Sequence, residues 1–239
     1  MRLGTLTWRN LAGYWRTHAS VVAGTLIGTA VLTGALLIGD SVRYSLLRLT
    51  HLRLGDVTHA VVGGDRFFRA ELARELMEDL RAQCAAVTLI EGIGIAEGGK
   101  RRANRIQVVG VESGFWQLAP AAGGDIRLAD GEAVINEHLA ERLHLKAGNT
   151  CVVRVRDLQW LPVEAPLART DVRTRSLRVA VKRVVSDDAF GRFNLHPHQV
   201  SPPTVFVARQ ELTRLLDRAG LTNAILVAAR EPRALSTDD

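Results

Sequence analysis

The stretch Gly94 to Arg101 reads G-I-A-E-G-G-K-R, one residue short of the glycine-rich loop that cradles nucleotide phosphates. That loop needs Ser or Thr after the Lys to hold Mg²⁺, with a strand before its glycines and a helix after its Lys. Here Arg101 follows the Lys and a strand-like run follows in turn. The segment therefore reads as an exposed hairpin turn, and no nucleotide binding is expected from it. His196-Pro197-His198 sets two imidazoles about a residue of fixed φ, with no Cys, Asp or third His at a ligand spacing nearby. His138 and His144 fall on different helix faces. All four read as solvated or hydrogen-bonded histidines rather than metal ligands.

Nucleophiles fare no better. The chain has no G-x-S-x-G and no Ser–His–acid trio that spacing identifies. Asp187-Asp188 reads as a solvated strand end rather than an acid–base pair. Cys84 and Cys151 are the only cysteines, too few for a disulfide framework, and both read as free thiols. No catalytic, cofactor-binding or metal-binding residue is assigned, and the chain is not expected to be an enzyme.

The elements that carry these residues begin with a different kind of signal. Ala19 to Gly39 is a run of 21 positions without one ionisable side chain, bounded by His18 and Asp40. At about 1.5 Å per residue such a helix spans roughly 30 Å, the thickness of a bilayer's hydrocarbon core. Signal peptides have a shorter apolar core followed by a small-x-small cleavage site. The Gly39-Asp40-Ser41-Val42-Arg43 that follows here offers none. Val42, Leu46, Leu49 and Arg53 continue at helical spacing, so a stalk through residue 56 is expected beyond the span. Three Arg lie on each flank, Arg2, Arg9 and Arg16 before the run and Arg43, Arg48 and Arg53 after it, so the α-amino group tips the balance, and the N-terminus is expected in the cytoplasm with residues 57–239 outside. Trp8, Tyr14 and Trp15 suit the headgroup layer.

Charge excludes a nucleic-acid partner. The net +6 resembles that of a basic binding protein, but residues 1–54 hold six Arg and one Asp. The remaining residues hold 25 basic and 24 acidic groups, so the excess is juxtamembrane, where anionic lipid is the natural counterpart. Within the span, Gly24 and Gly28 form a G-x-x-x-G beside a stripe of Thr25, Thr29 and Thr33. Small residues let helix backbones approach, and Thr can hydrogen-bond across the contact. Gly24, Gly28, Thr25 and Thr29 are therefore assigned to helix packing in the bilayer.

Beyond the stalk, helices and strands alternate. Val57–Val62 reads as a strand and Arg69–Gln83 as an amphipathic helix with Leu72, Leu76 and Leu80 four apart. Val87–Ala96 and Arg105–Val111 read as a hairpin pair. Asn136 is placed to cap a helix through Leu143. Cys151–Val155 and Leu177–Val185 are β-rich, with a Pro-containing loop from Leu158 to Thr174 between them. Thr204–Ala208, a helix from Arg209 to Ala219 with Gly220 as C-cap, and Asn223–Ala229 form a βαβ-like unit. The fold class is α+β: one N-terminal transmembrane helix with a stalk, then a mixed α/β extracytoplasmic domain.

Several short motifs in this order resemble one family. Arg9-Asn10-Leu11 and the Gly/Thr-rich helix resemble the start of MacB/FtsX-type ABC transporter permeases. Val108-Val109-Gly110-Val111-Glu112, Gly131 to Ala140 (G-E-A-V-I-N-E-H-L-A) and Leu143 to Asn149 (L-H-L-K-A-G-N) resemble successive segments of their periplasmic core domain. The resemblance implies segments 1–18 (cytoplasmic), 19–39 (membrane), 40–56 (stalk) and 57–239 (MacB-like core) in a bacterial inner membrane. It also implies a separate or fused ABC ATPase as partner, together with further permease helices or a second permease subunit. Export or release of lipoproteins, peptides or other amphiphiles is the implied activity. One departure stands out: such permeases return to the membrane, and no second apolar run occurs here. The chain then reads as the N-terminal portion of a longer permease or as a truncated product that cannot transport alone. The alternatives are a bitopic membrane-anchored binding or scaffold protein and, without a recognisable nucleophile, a membrane-anchored hydrolase.

Overall fold

The computed structural model describes residues 3–119, 126–156, 174–196 and 201–228. It falls into two compact units, residues 1–49 and 50–239. The first holds a short helix α1 (Leu3–Gly13) and most of α2 (Trp15–Leu54). Across Tyr14 the backbone bonding continues, Tyr14 N donating to Asn10 O at 3.0 Å and His18 N to Tyr14 O at 3.1 Å. With 40 residues α2 is about 60 Å long, roughly twice the hydrocarbon core of a bilayer. Leu26, Val31, Leu32, Leu36 and Leu37 expose 62–71% of their surface, so lipid or other protein must cover them. This is the one helix among the described residues that is long and apolar enough to cross a membrane.

Gly55 ends α2 in the left-handed region at φ 57°, where a Cβ would lie 2.0 Å from the Leu118 carbonyl oxygen. Only glycine fits there. The domain that follows contains β1 (His59–Val62), β2 (Phe68–Arg69), α3 (Leu72–Leu80), β3 (Gln83–Ala96), β4 (Arg101–Val111) and α4 (Ser113–Trp116). After these come β5 (Glu132–Asn136), α5 (Glu137–Leu143), β6 (Thr150–Arg156), β7 (Thr174–Val185), β8 (Thr204–Ala208), α6 (Arg209–Leu215), β9 (Leu221–Thr222) and β10 (Ala224–Ala228).

Eight strands form one sheet in the order β1-β10-β3-β4-β8-β5-β7-β6, with β2 and β9 as a separate pair. A further pairing of β3 with β6 closes six of the strands into a barrel. The length of β3 makes this possible. Its first residues, Gln83–Val87, pair with β10, and Gly92–Ala96 pair with β6 on the same edge, while β4 runs along the other. Between those two partners Leu89 would face nothing. The Asn223 carboxamide fills the gap, accepting from Leu89 N at 2.8 Å and donating to Leu89 O at 2.8 Å. The register shifts after Gly92, where a Cβ would approach Arg154 O and Val108 Cγ2 to 2.8 Å. A glycine with a bulge at a barrel corner permits that contact.

Alternation along the strands sorts the core. Ile90, Ala103, Ile106, Val108, Ala133, Ile135, Val153, Val155, Val179, Val181, Val205 and Val207 come from all six barrel strands and fill the interior, joined by Leu139 and Leu143 of α5 and Leu212 of α6. The opposite face of β4, β5 and β8 packs Val109, Val134 and Phe206 against Phe115, Trp116, Phe190 and Phe193. Phe115 lies 4.7–5.7 Å from Phe190, Phe193 and Phe206 between ring centroids, at offset or edge-on angles that aromatic pairs favour. A third, smaller layer holds α3 on β10 through Ala73, Ile225 and Val227.

The mixed α/β domain behind one long apolar helix agrees with the class expected from sequence, and so do the hairpin and the β-rich segments. Two helices are shorter than expected. The one expected over Arg69–Gln83 spans only Leu72–Leu80: Arg69 pairs with Leu221, Arg81 turns left-handed at φ 48°, and Gln83 pairs with Ala228. Sheet partners remote in sequence take both ends away from the helix. The one expected over Arg209–Ala219 stops at Leu215 with Leu216 as its cap, not Gly220. Asp217 is left-handed at φ 56°, and Gly220 lies in the turn before β9. The β8–α6–β10 connection does run between strands of one direction, but β3 and β4 lie between them in the sheet. Most of the Leu158–Thr174 loop, Pro197, His198 and Ala229 lie outside the described residues.

Candidate functional site

In the first unit Gly24, Thr25, Gly28 and Thr29, expected to pack against another helix, share a helix face by their spacing. A Cβ built on Gly24 or on Gly28 meets no atom within 4 Å. The neighbouring hydroxyls are turned inward along the helix. Thr25 Oγ1 donates to Val21 O and Val22 O at 3.1 and 2.9 Å, and Thr29 Oγ1 to Thr25 O and Leu26 O at 2.8 and 3.0 Å. Back-bonding of this kind satisfies a hydroxyl inside lipid. The face is thus open and small, and its threonines need no partner to remain there.

In the second unit the residues flagged by the sequence are scattered. Gly98, at φ 64°, and Gly99 form the turn between antiparallel β3 and β4, and Lys100 is exposed, so the strand–loop–helix context of a phosphate loop is absent. His138 Nδ1 lies 2.6 Å from Ser201 O, while His144 ends α5 in a left-handed conformation at φ 52°. Asp187 pairs with Arg192 Nε at 2.6 Å. Cys151 sits opposite Ala96, twelve residues along β3 from Cys84, or about 40 Å at strand rise. No disulfide can bridge that distance within one chain. Burial raises both thiols, Cys151 to about 11. Among the described residues no three His, Cys, Asp or Glu side chains converge as metal ligands.

One concave feature among the described residues of this domain was not apparent from sequence. A cleft of about 330 Å³ opens where the parallel neighbours β4 and β8 both end, at Val111 and Ala208. Crevices at the carboxyl ends of parallel strands are where α/β sheets commonly receive ligands. The floor carries Arg209, whose side chain is only 9% exposed. Its Nε donates to Glu112 Oε1 at 2.8 Å, its Nη2 donates to the same oxygen, and its Nη1 donates to Leu221 O at 3.2 Å. A buried guanidinium needs such a partner, and Glu112 retains one oxygen without a protein donor among the described residues.

The far wall, residues 126–130, has no regular structure but is fastened from behind. Gly131 N donates to both oxygens of Glu211 at 2.9 and 3.0 Å. Asp130 pairs with Arg214 at 2.5 Å, and Lys182 donates to Arg127 O at 3.0 Å and Glu132 at 2.7 Å. The lysine hydrogen bond, reinforced by Ala129 N, holds the Glu132 carboxyl below its ordinary value. Ile126 and Leu128 thus line a preset wall. The cleft offers shape and a clamped ion pair, a surface suited to contact. Glu112 and Arg209 are 97 residues apart, and no local pattern in the sequence links them.

Residues 19–232 match the sequence profile of the MacB-like periplasmic core domain. Among solved structures the chain is similar to the periplasmic region of MacB from Actinobacillus actinomycetemcomitans, at 11% identity and TM-score 0.43, over 69% of this chain and 66% of that one. It is likewise similar to the extracellular domain of the noncanonic ABC-type transporter YknZ from Gram-positive bacteria, at 12% identity and TM-score 0.43, over 70% of this chain and 75% of that one. The chain thus spans about two thirds of the length of the first of these. No curated protein matches it.

Proposed function

The chain belongs to the MacB-like periplasmic core domain family, and from that premise we propose that it is the N-terminal portion of an ABC transporter permease. One observation carries the reading. The matched region begins at Ala19, the first residue of the uncharged run, and continues to residue 232, so the apolar helix and the barrel domain form a single family unit. The role that fits is mechanical. α2 crosses the bilayer over residues 19–39 with residues 1–18 in the cytoplasm, continues through a stalk over residues 40–56, and carries the MacB-like core of residues 57–239 outside. An ABC ATPase, separate or fused, supplies the motion, and further permease helices or a second permease subunit complete the membrane part. Lipoproteins, peptides or other amphiphiles are the cargo class this assembly would release or export. The chain contributes no catalytic group of its own. Pull-down of the chain from its native membranes, with mass spectrometry of the recovered proteins, tests this. Stoichiometric recovery of an ABC ATPase is expected, and its absence from a preparation that retains the intact chain would refute the reading.

A further inference from the structure

One outer face of the barrel has the composition of a binding surface. The strands β7, β6, β3 and β4 lie side by side there, and their register places Arg178, Val152, Ile95 and Arg102 in one cross-strand row. The next row on the same face is Ser176, Arg154, Ile93 and Asn104. Residues directly opposite one another point the same way, and the alternate residues Ala103, Val153 and Val179 fill the barrel interior, so these two rows face outward. Val152, Ile93 and Ile95 are half-buried and form an aliphatic centre, while Arg102, Arg154 and Arg178 are exposed around it. With strands about 4.8 Å apart, Arg178 and Arg102 stand roughly 14 Å from each other across the aliphatic centre.

None of these three guanidiniums has a carboxylate partner among the described residues. That contrasts with Arg175, Arg192, Arg209 and Arg214, each of which is paired with an acid. The chain beyond residue 54 is close to neutral, with 25 basic and 24 acidic groups, whereas these two rows hold three arginines and no acid, and Glu91 stands one row beyond Ile93 on the same side of β3. We propose that this face binds a partner protein that presents Asp or Glu side chains around an apolar contact.

Three features favour a protein over a lipid surface. The charges are all arginine, whose planar fork matches a carboxylate bidentately and which is enriched at protein interfaces while lysine is depleted there. The aliphatic centre lies on the barrel strands, with no Trp, Tyr or Phe in either row to enter a headgroup layer. Its side chains are half-covered by their neighbours, so they can add to an interface core but cannot insert deeply. The inference does not depend on the chain being part of a transporter.

The test is photocrosslinking of the full-length chain in its native cells, with benzoylphenylalanine at Ile95, and with the same probe at Leu80 of α3 as an exposed control. A protein adduct is expected at Ile95 and not at Leu80, and mass spectrometry of its crosslinked peptide should show Asp or Glu beside the attachment point. Arg102→Glu/Arg154→Glu/Arg178→Glu should lower the yield about tenfold or more, and each single reversal should lower it less. Replacing the partner's neighbouring carboxylates with Arg should restore it. Because the three arginines are exposed, the melting temperature of the triple variant should match that of wild type, which separates lost contact from lost fold. No adduct at Ile95, an adduct with lipid only, an adduct with a second copy of this chain, or a yield indifferent to all charge reversals would each overturn the proposal.

Discussion

Asn136 and Thr204 lie 68 residues apart, and the Oδ1 of the first accepts the backbone N–H of the second at 2.9 Å. The same oxygen accepts from Leu139 N at 3.0 Å, while Nδ2 donates to Gly191 O at 2.8 Å and Pro202 O at 2.9 Å. One buried carboxamide therefore uses its full capacity of two donors and two acceptors. It caps α5, starts β8 beside β4 and holds the Gly191 turn in place.

Asn136→Ala orphans the buried N–H groups of Leu139 and Thr204, each costing about 1–3 kcal/mol when left without a partner, while Gly191 O and Pro202 O keep the hydroxyls of Ser201 and Thr204. A loss of about 3 kcal/mol is expected, read as a lower denaturation midpoint with unchanged slope. Asn136→Asp keeps the two acceptors but turns the donors toward Gly191 O and Pro202 O into an acceptor, so it should also destabilise. Stability within 0.5 kcal/mol of wild type for both, a span of roughly the surface-substitution scatter, would show that this network is not needed.

Glu112→Gln should destabilise the domain, because Arg209 stays buried beside a neutral amide. The pair is partly open on the Glu side, so about 1–2 kcal/mol is expected rather than the several kcal/mol of a fully buried pair. Arg209→Met combined with Glu112→Gln should cost less than the two single changes added together. A strictly additive double-mutant cycle would mean that the two groups do not hold each other.

Cysteine chemistry follows from the sheet register. Non-reducing mass spectrometry should find no link between Cys84 and Cys151, and Cys151 should resist maleimide until the chain unfolds. Burial raises Cys151 from 9.0 to about 11 in the folded state, so between those values the unfolded chain loses a proton that the folded chain keeps. Its contribution to stability is complete below pH 9.0 and is lost as pH rises towards about 11. Cys151→Ser should flatten the fall in melting temperature over that window. An unchanged pH profile in the variant would assign the fall to other groups.

On the membrane helix, Gly24→Ile and Gly28→Ile introduce no clash within the chain, since a Cβ at either position meets nothing within 4 Å. Insertion should therefore persist. Loss of co-purification with the further permease helices proposed above is expected, because association in lipid depends on close fit. Undiminished recovery of the assembly would mean that the face looks at lipid.

The features legible in the sequence are those set by neighbours along the chain. The uncharged run Ala19–Gly39 reports a long apolar helix because length and composition alone decide that. The cap at Asn136 was readable because a helix end needs a local acceptor, and the Gly98-Gly99 turn because glycine tolerates positive φ. Leu72, Leu76 and Leu80 give the helical period of α3, but its limits depended on Leu221 and Ala228, remote residues that claim Arg69 and Gln83 for strands. The three remote bonds of Asn136, the Asn223 rung at Leu89, the closure of β3 on β6 and the Glu112–Arg209 clamp all join positions separated by more than fifty residues. No periodicity encodes such pairings. They exist because a barrel must satisfy every buried backbone group at its seams, and only the folded register decides which side chain stands at each one.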